Sequence, residues 1–230
     1  MPRSENRSVG FVGNYLICYK VNDVLLWGYK MRLVLGSDLH GHLPDVPPCD
    51  ILVLAGDLLP DTDKQEVFIG QSLRPWLNRA PAQEIVATWG NHDGKPFRNG
   101  NYGLRGHWLV DRSAVVMGLK FHGSPWCRPI GRWAWQAPEH IMKYIYSLVP
   151  DDVDILLSHT PPYGICDKAK DGNYCGSEEL FERMKSLPNL KLLVCGHIHE
   201  GRGQVGKVIN VACLDENYRL RRDPWTIVDL

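Results

Sequence analysis

The chain has 230 residues, and its 26 Lys plus Arg are balanced by 26 Asp plus Glu. That length supports one core of several layers, and the charge balance offers no electrostatic case for non-specific binding to nucleic acid or to an anionic membrane. Seven cysteines without a C-x-x-C fit neither a disulfide framework nor a zinc-finger spacing, which points to a reducing, cytoplasmic setting.

Residues 1–30 read as an N-terminal extension, either an appended strand or a loosely docked segment, ahead of a single domain over 31–230. Phe11 to Tyr19 is moderately apolar behind a basic start, but Asn14 interrupts it and no small-residue cleavage site follows, so a signal peptide is not expected. No apolar stretch approaches the roughly 18 to 20 residues that cross a bilayer, so no membrane partner is expected.

From Arg32 onward, short apolar runs each end in a polar or glycine-rich cluster. They are Arg32 to Gly36 before SDLHGH, Ile51 to Ala55 before GDLLPD, Ile85 to Trp89 before GNHD, Ile155 to Leu157 before SHTPP, and Leu192 to Cys195 before GHIHEG. Continuous apolarity predicts strands buried on both faces of a parallel or mixed sheet. Helical spacing predicts helices over Lys64 to Arg79, Pro138 to Leu148, and Gly176 to Leu187, the last opening on Ser177. Val115 to His122, split by Gly118, and Gly203 to Val211, turning at Gly206 and Lys207, read as hairpins; Trp225 to Val228 reads as a final strand. Residues 94–106, 124–136 and 160–176 are long loops without periodicity. The whole is an α/β pattern.

In such folds ligands gather at the carboxyl ends of the strands, so the clusters are expected to converge. Together they supply Asp38, His40, Asp57, Asn91, His92, His159, His197 and His199. Carboxylate, amide and imidazole groups without thiolate suit Mn²⁺, Fe or Zn²⁺, and the set is too large for one ion. Taken singly, each cluster has an ordinary reading as a turn or a solvated loop. Their joint occurrence in this order, each after an apolar strand, favours a common site.

The ordered set D-x-H, GD, GNHD, SH and GHIH resembles the calcineurin-like metallophosphoesterases over residues 31–230. Gly123-Ser124-Pro125-Trp126 and the stretch from LSHTPP to GHIHEG are similar to the metallophosphoesterase-domain branch related to class III cyclic-nucleotide phosphodiesterases. Some members of that branch carry glycine at the first histidine of the last motif, where this chain keeps His197.

The resemblance implies a four-layer αββα sandwich of two mixed sheets flanked by helices. It implies that Asp38, His40 and His199 bind one divalent ion, that Asn91, His159 and His197 bind a second, and that Asp57 bridges them. His197 and His199 would then serve different ions. Mn²⁺ is the first expectation, with Fe, Zn²⁺ or Mg²⁺ as alternatives. The implied reaction is hydrolysis of a small phosphodiester, cyclic nucleotides included, by a metal-bridging hydroxide. Two dications, less two carboxylates and a hydroxide, leave a formal charge of about +1, which complements a diester monoanion.

By the same resemblance His92 protonates the leaving group, with Asp93 as one candidate to orient it. Other members place the orienting aspartate after the GD motif, where this chain has Pro60 and then Asp61. His42, His107, His122 and His140 read as surface or packing residues. Arg98, Arg105, Arg128, Arg132 and Arg202 are candidates to hold a phosphate oxygen, against solvated loop arginines. Trp126, Trp133 and Trp135 are base-stacking candidates, against local packing. The rival functions are a phosphomonoesterase or protein phosphatase on the same ions, and a metal-binding scaffold without turnover; a nuclease is disfavoured by the neutral charge.

Overall fold

The computed structural model describes residues 30–230 in full and, ahead of them, the backbone of three strands, β1 (Ser8–Val12), β2 (Tyr15–Lys20) and β3 (Asp23–Gly28). These pair antiparallel in the order β1-β2-β3. The expectation of an appended strand or loosely docked extension over 1–30 otherwise falls outside the described residues.

The apolar runs become the inner strands of two further sheets. In chain order the strands are β4 (Arg32–Gly36), β5 (Cys49–Ala55), β6 (Ala82–Thr88), β7 (His107–Trp108), β8 (Arg112–Val116), β9 (Leu119–Ser124), β10 (Ile155–Ser158), β11 (Leu192–Cys195), β12 (Gly203–Val205), β13 (Val208–Asn210) and β14 (Thr226–Asp229). One sheet runs β14-β4-β5-β6-β7, parallel except for β14 at its edge. The other runs β12-β13-β11-β10-β9-β8, with parallel inner strands and antiparallel edges.

Burial on both faces explains why the runs are continuous. Ile51, Val53 and Ala55 of β5 pack against Phe121, Ile155, Leu157 and Val194 of the opposite sheet, while Leu52 and Leu54 pack against Leu73, Trp76 and Leu77 of the helical run 65–79. Leu156, Leu193 and Cys195 face outward onto Met142, Tyr146, Leu180 and Met184. The layers are therefore helix, sheet, sheet, helix. Each fully buried aliphatic side chain in this arrangement contributes about 1.5–3 kcal/mol.

The helical run comprises α1 (Gln65–Phe68), a π-helical turn (Ile69–Leu73) and α2 (Arg74–Arg79). It is followed by α3 (Gly94–Asn99), α4 (Glu139–Ser147) and α5 (Glu178–Lys185). Ser177 caps α5 by accepting a hydrogen bond from Leu180 N at 3.2 Å. The β8–β9 hairpin turns at Met117 (φ 48) and Gly118 (φ 82), the pair of left-handed residues that a tight turn between twisted strands requires. Helix α3 lies inside a stretch expected to be loop; six residues with one exposed phenylalanine give no periodic signal.

Candidate functional site

Parallel strands end at one rim, so Asp38 after β4, Asp57 after β5, Asn91 after β6, His159 after β10 and His197 after β11 meet between the two sheets. Ser37 stitches the sheets together beside Asp38. Its N–H donates to Val211 O at 3.2 Å and its carbonyl accepts from Cys213 N at 2.9 Å. Asp38 (φ 53), His40 (φ 42), Asp57 (φ 54) and His197 (φ 67) all adopt the left-handed conformation that non-glycine residues usually avoid. Such concentrations accompany sites where side-chain placement overrides local preference.

The ligand atoms of Asp38, His40 and His199 lie within 4.8 Å of one another, as do those of Asp57, His159 and His197, and those of His40, Asp57 and His92. Asn91 Oδ1 lies 2.9 Å from His159 Nε2. Asp57 stands between the first two groups: its Oδ2 is 3.8 Å from His40 Nε2 and 3.3 Å from His159 Nε2, while its Oδ1 accepts from His92 N at 2.8 Å. Asp38 is fixed by the His197 N–H (3.0 Å) and by the Ser37 hydroxyl (2.5 Å).

Two imidazoles have their tautomer set by backbone. His159 Nδ1 is 2.9 Å from Ala55 O and His199 Nδ1 is 2.9 Å from Asp215 O; each nitrogen must carry the proton, which turns Nε2 toward the centre. His159 Nε2 there meets two acceptors, Asn91 Oδ1 and Asp57 Oδ2, so that only a second ring proton or a cation can satisfy all three. Both nitrogens of His40, Nδ1 of His92 and Nδ2 of Asn91 are buried without a hydrogen-bond partner among the described residues. An unsatisfied buried polar group costs about 1–3 kcal/mol. The donor set and its unsatisfied atoms fit divalent cations of the Mn²⁺, Fe or Zn²⁺ kind.

The electrostatics agree with this geometry. Burial opposes the Asp38 charge, but the hydrogen bond and positive charge of His199 outweigh it and hold the carboxyl at about 2. Asp57 is likewise driven far below the usual carboxylate range by His159, against its burial. His159 and His199 are raised to about 9, since Asp57 and Asp38 respectively overcome desolvation. Burial lowers His40 to about 4 and, together with His159, lowers His197 to about 3.

At pH 7.5 the metal-free protein therefore holds protons on His159 and His199 that a metal must displace. Mn²⁺ binding is expected to release protons, and its affinity to rise with pH up to about 9. Calorimetry in buffers of different ionisation enthalpy measures this; binding without proton release would contradict it.

Asp93 departs from its expected role as partner of His92. Its carboxylate accepts from Leu58 N (3.0 Å), Leu59 N (2.9 Å) and Gly90 N (2.9 Å), and no hydrogen bond or ion pair joins it to the His92 ring among the described residues. It ties the loop after β5 to the loop after β6. Burial and the nearby Asp57 charge push its carboxyl up to about 8 against the three amides, which favour the anion.

His92 instead lies between rings, 4.0 Å from Trp133 and 4.7 Å from His40. Trp135 is buried in the core, and Trp126 packs edge-on against it at 5.6 Å while donating to Asp111 at 2.7 Å. Only Trp133 of the three stands at the site. His122 is buried against Ser113 and His107 pairs with Glu84, as packing residues do.

Tyr218 escaped sequence reading. Its ring lies 4.9 Å from both His40 and His199, on a turn held by Asp215 Oδ1, which accepts from Asn217 N and Arg219 N at 2.9 Å each. Nothing in DENYRL marks it, because its place depends on a fold contact between the last loop and the β4 and β11 ends.

The left-handed backbone at His197 makes a clean test of one ligand. Glycine adopts φ 67 without strain, so His197→Gly is expected to leave metal-free stability within about 1 kcal/mol while weakening Mn²⁺ binding by roughly tenfold or more. Thermal melts and metal titration measure the two effects separately.

Residues 31–201 match the calcineurin-like phosphoesterase family. Among curated relatives, a UPF0046 protein of Caenorhabditis elegans is 28% identical over 233 aligned residues, covering 88% of this chain and 82% of that one. The human metallophosphoesterase domain-containing protein 1 is 26% identical over 238, covering 88% and 72%. Among solved structures, a 5'-nucleotidase precursor from Thermus thermophilus aligns with TM-score 0.43 and 18% identity, over 74% of this chain and less than half, 42%, of that one. No described helix is long and apolar enough to cross a membrane.

Proposed function

Because this chain belongs to the calcineurin-like phosphoesterases, we propose that it is a phosphodiesterase dependent on two divalent ions, Mn²⁺ first among them, with cyclic nucleotides within its substrate class. The observation that supports the reading is the position of Asp57, whose Oδ2 faces His40 on one side and His159 on the other. Asp38, His40 and His199 would hold one ion; Asn91, His159 and His197 the other; Asp57 would touch both. When bound, such a pair supplies an activated hydroxide and neutralises the charge that builds on the phosphoryl oxygens.

The chain's own groups do the rest. His92 sits beside the ligand groups with its ring steadied by Trp133, where a ring N–H can pass its proton to the departing alkoxide. Asp93 acts at one remove, by fixing the two loops that carry Asp57 and Asn91. Residues 31–230 would act as one domain. A reducing, cytoplasmic setting belongs to this reading, supported by the six described cysteines standing as free thiols.

The test is turnover of bis(4-nitrophenyl) phosphate and 4-nitrophenyl phosphate by metal-stripped protein, before and after Mn²⁺. Restored activity favouring the diester is expected, with stabilisation of about 2.7 kcal/mol at a hundredfold excess of metal over its dissociation constant. Preference for the monoester would replace the reading with a phosphatase. Metal binding without turnover would replace it with a scaffold.

A further inference from the structure

The arginines of the loops separate into two kinds. Arg105 donates to Leu77 O (3.0 Å) and Ala80 O (3.2 Å), Arg202 donates to Ala212 O (2.6 Å) and Pro224 O (2.8 Å), and Arg128 pairs with Glu139 at 3.7 Å. These three hold the fold together. Arg98 and Arg132 have no hydrogen-bond or ion-pair partner among the described residues, and neither does the Lys95 ammonium.

Those three unpaired cations line a single cavity of about 250 Å³, together with Asn91, His92 and Trp133. A lone solvated arginine needs no explanation. Three cations around one cavity repel one another, Lys95 and Arg98 directly, as neighbours three apart on α3. Asp61 is the one carboxylate on the wall, and among the described residues it forms no ion pair with any of them.

The wall is also held firmly to the site. Gln65, 5% exposed, donates through Nε2 to His92 O at 2.7 Å and accepts through Oε1 from Lys95 N at 3.1 Å, joining the start of α3 to His92. Ala134 N donates to Asn91 O at 3.0 Å, which fixes the Trp133 loop to the Asn91 loop.

We propose that this cavity binds a second phosphate of the substrate, carried by the alcohol that leaves. The inference rests on the phosphodiesterase reading above and narrows it. Under that reading Asp38, Asp57 and a hydroxide would leave the metal pair a surplus of about one positive charge, enough for the single charge of the scissile diester, so the extra cations answer to another anion. A guanidinium pair offers forked donors that match phosphate oxygens. His92, the group placed to protonate the departing oxygen, forms part of the cavity wall, so the leaving group is the part of the substrate that enters it. In the reaction the oxygen of water bonds to phosphorus, the bond from phosphorus to the leaving oxygen breaks, and a ring proton of His92 passes to that oxygen. One proton of the water stays on the oxygen now bonded to phosphorus, and the other returns His92 to its starting state through solvent. The products are a phosphomonoester and an alcohol that bears the second phosphate. A cyclic nucleotide, with one phosphate, leaves the cavity's cations unanswered.

The experiment compares three dinucleotides on the Mn²⁺-loaded full chain: ApA, pApA and ApAp. The added phosphate lies on the nucleoside of the 3′ leaving oxygen in pApA and on that of the 5′ leaving oxygen in ApAp. One of the two is expected to exceed ApA in kcat/KM by at least about tenfold, with chromatography showing the added phosphate on the released alcohol. The double variant Arg98→Gln, Arg132→Gln is expected to abolish that advantage while bis(4-nitrophenyl) phosphate turnover stays within about twofold. Equal rates for all three, an advantage with the phosphate on the retained side, or a variant that loses the chromogenic diester equally would overturn the proposal. Failure of the wild-type, metal-loaded protein to hydrolyse bis(4-nitrophenyl) phosphate would overturn the underlying reading, and this inference with it.

Discussion

Asp57→Asn is expected to reduce Mn²⁺-dependent diester hydrolysis by more than about a hundredfold, and more severely than loss of any single histidine of the site. Groups that merely orient a metal ligand are worth roughly 10- to 100-fold. Asp57 stands between both ligand clusters, so under the two-ion reading its loss would act on both ions at once. Asparagine keeps the size of the side chain and an oxygen for the His92 N–H, now at 2.8 Å, so the loop after β6 retains its anchor. What disappears is the negative charge that raises His159 and lies beside His40. Steady-state rates and metal stoichiometry measured on one preparation distinguish lost metal from lost folding. A near-normal rate in the Asp57→Asn variant would remove Asp57 from the centre.

Gly196→Ala should be strongly damaging at the site. A Cβ there would lie 2.7 Å from Ser37 Cβ and closer still to the Ser37 hydroxyl and Asp38 Oδ2. Neither neighbour is free to move, because Ser37 Oγ and the His197 N–H both hold the Asp38 carboxylate. Gly196 cannot retreat either: its N–H donates to His159 O at 3.0 Å and its carbonyl accepts from Asn210 at 3.1 Å. Overpacking of this kind costs about 1–3 kcal/mol, which in a domain of this size lowers the melting temperature by about 2–4 °C per kcal/mol. The larger loss is expected in Mn²⁺ affinity, as Asp38 is displaced. Affinity within twofold of the wild type would contradict the close packing at this point.

Backbone space and backbone conformation are both constrained at this last loop. At position 196 the need is room, and at His197 a left-handed backbone stands where glycine would have been the easier residue. The chain accepts strain of about 1–2 kcal/mol per left-handed residue of this kind. In return the histidine and aspartate side chains point into the gap between the sheets.

Much of this was legible from residues alone. Runs such as ILVLA and LLVC are apolar at every position, which a strand shows only when both its faces are covered, so two covered faces and flanking helices followed from the pattern. Parallel strands bring their carboxyl ends to one rim, and that is why Asp38, Asp57, Asn91, His159 and His197 converge although they are spread along the chain. Ser177 as a cap and Gly118 as a turn were readable for local reasons, through a side-chain oxygen and a tolerated positive φ.

The sequence by itself determined the order of the main strands and helices, apart from α3 and β7, together with the layered α/β class and the inventory of ligand-type residues, because each depends on local periodicity or on adjacency to a strand end. Only the tertiary structure decided that Asp93 ties loops together rather than facing His92, that Trp133 and not Trp135 stands at the centre, that Tyr218 covers His40 and His199, and that Arg98 and Arg132 find no partner among the described residues where Arg105 and Arg202 do. Those outcomes depend on which backbone amides and carbonyls the fold delivers to each side chain, and residues far apart in the chain supply them.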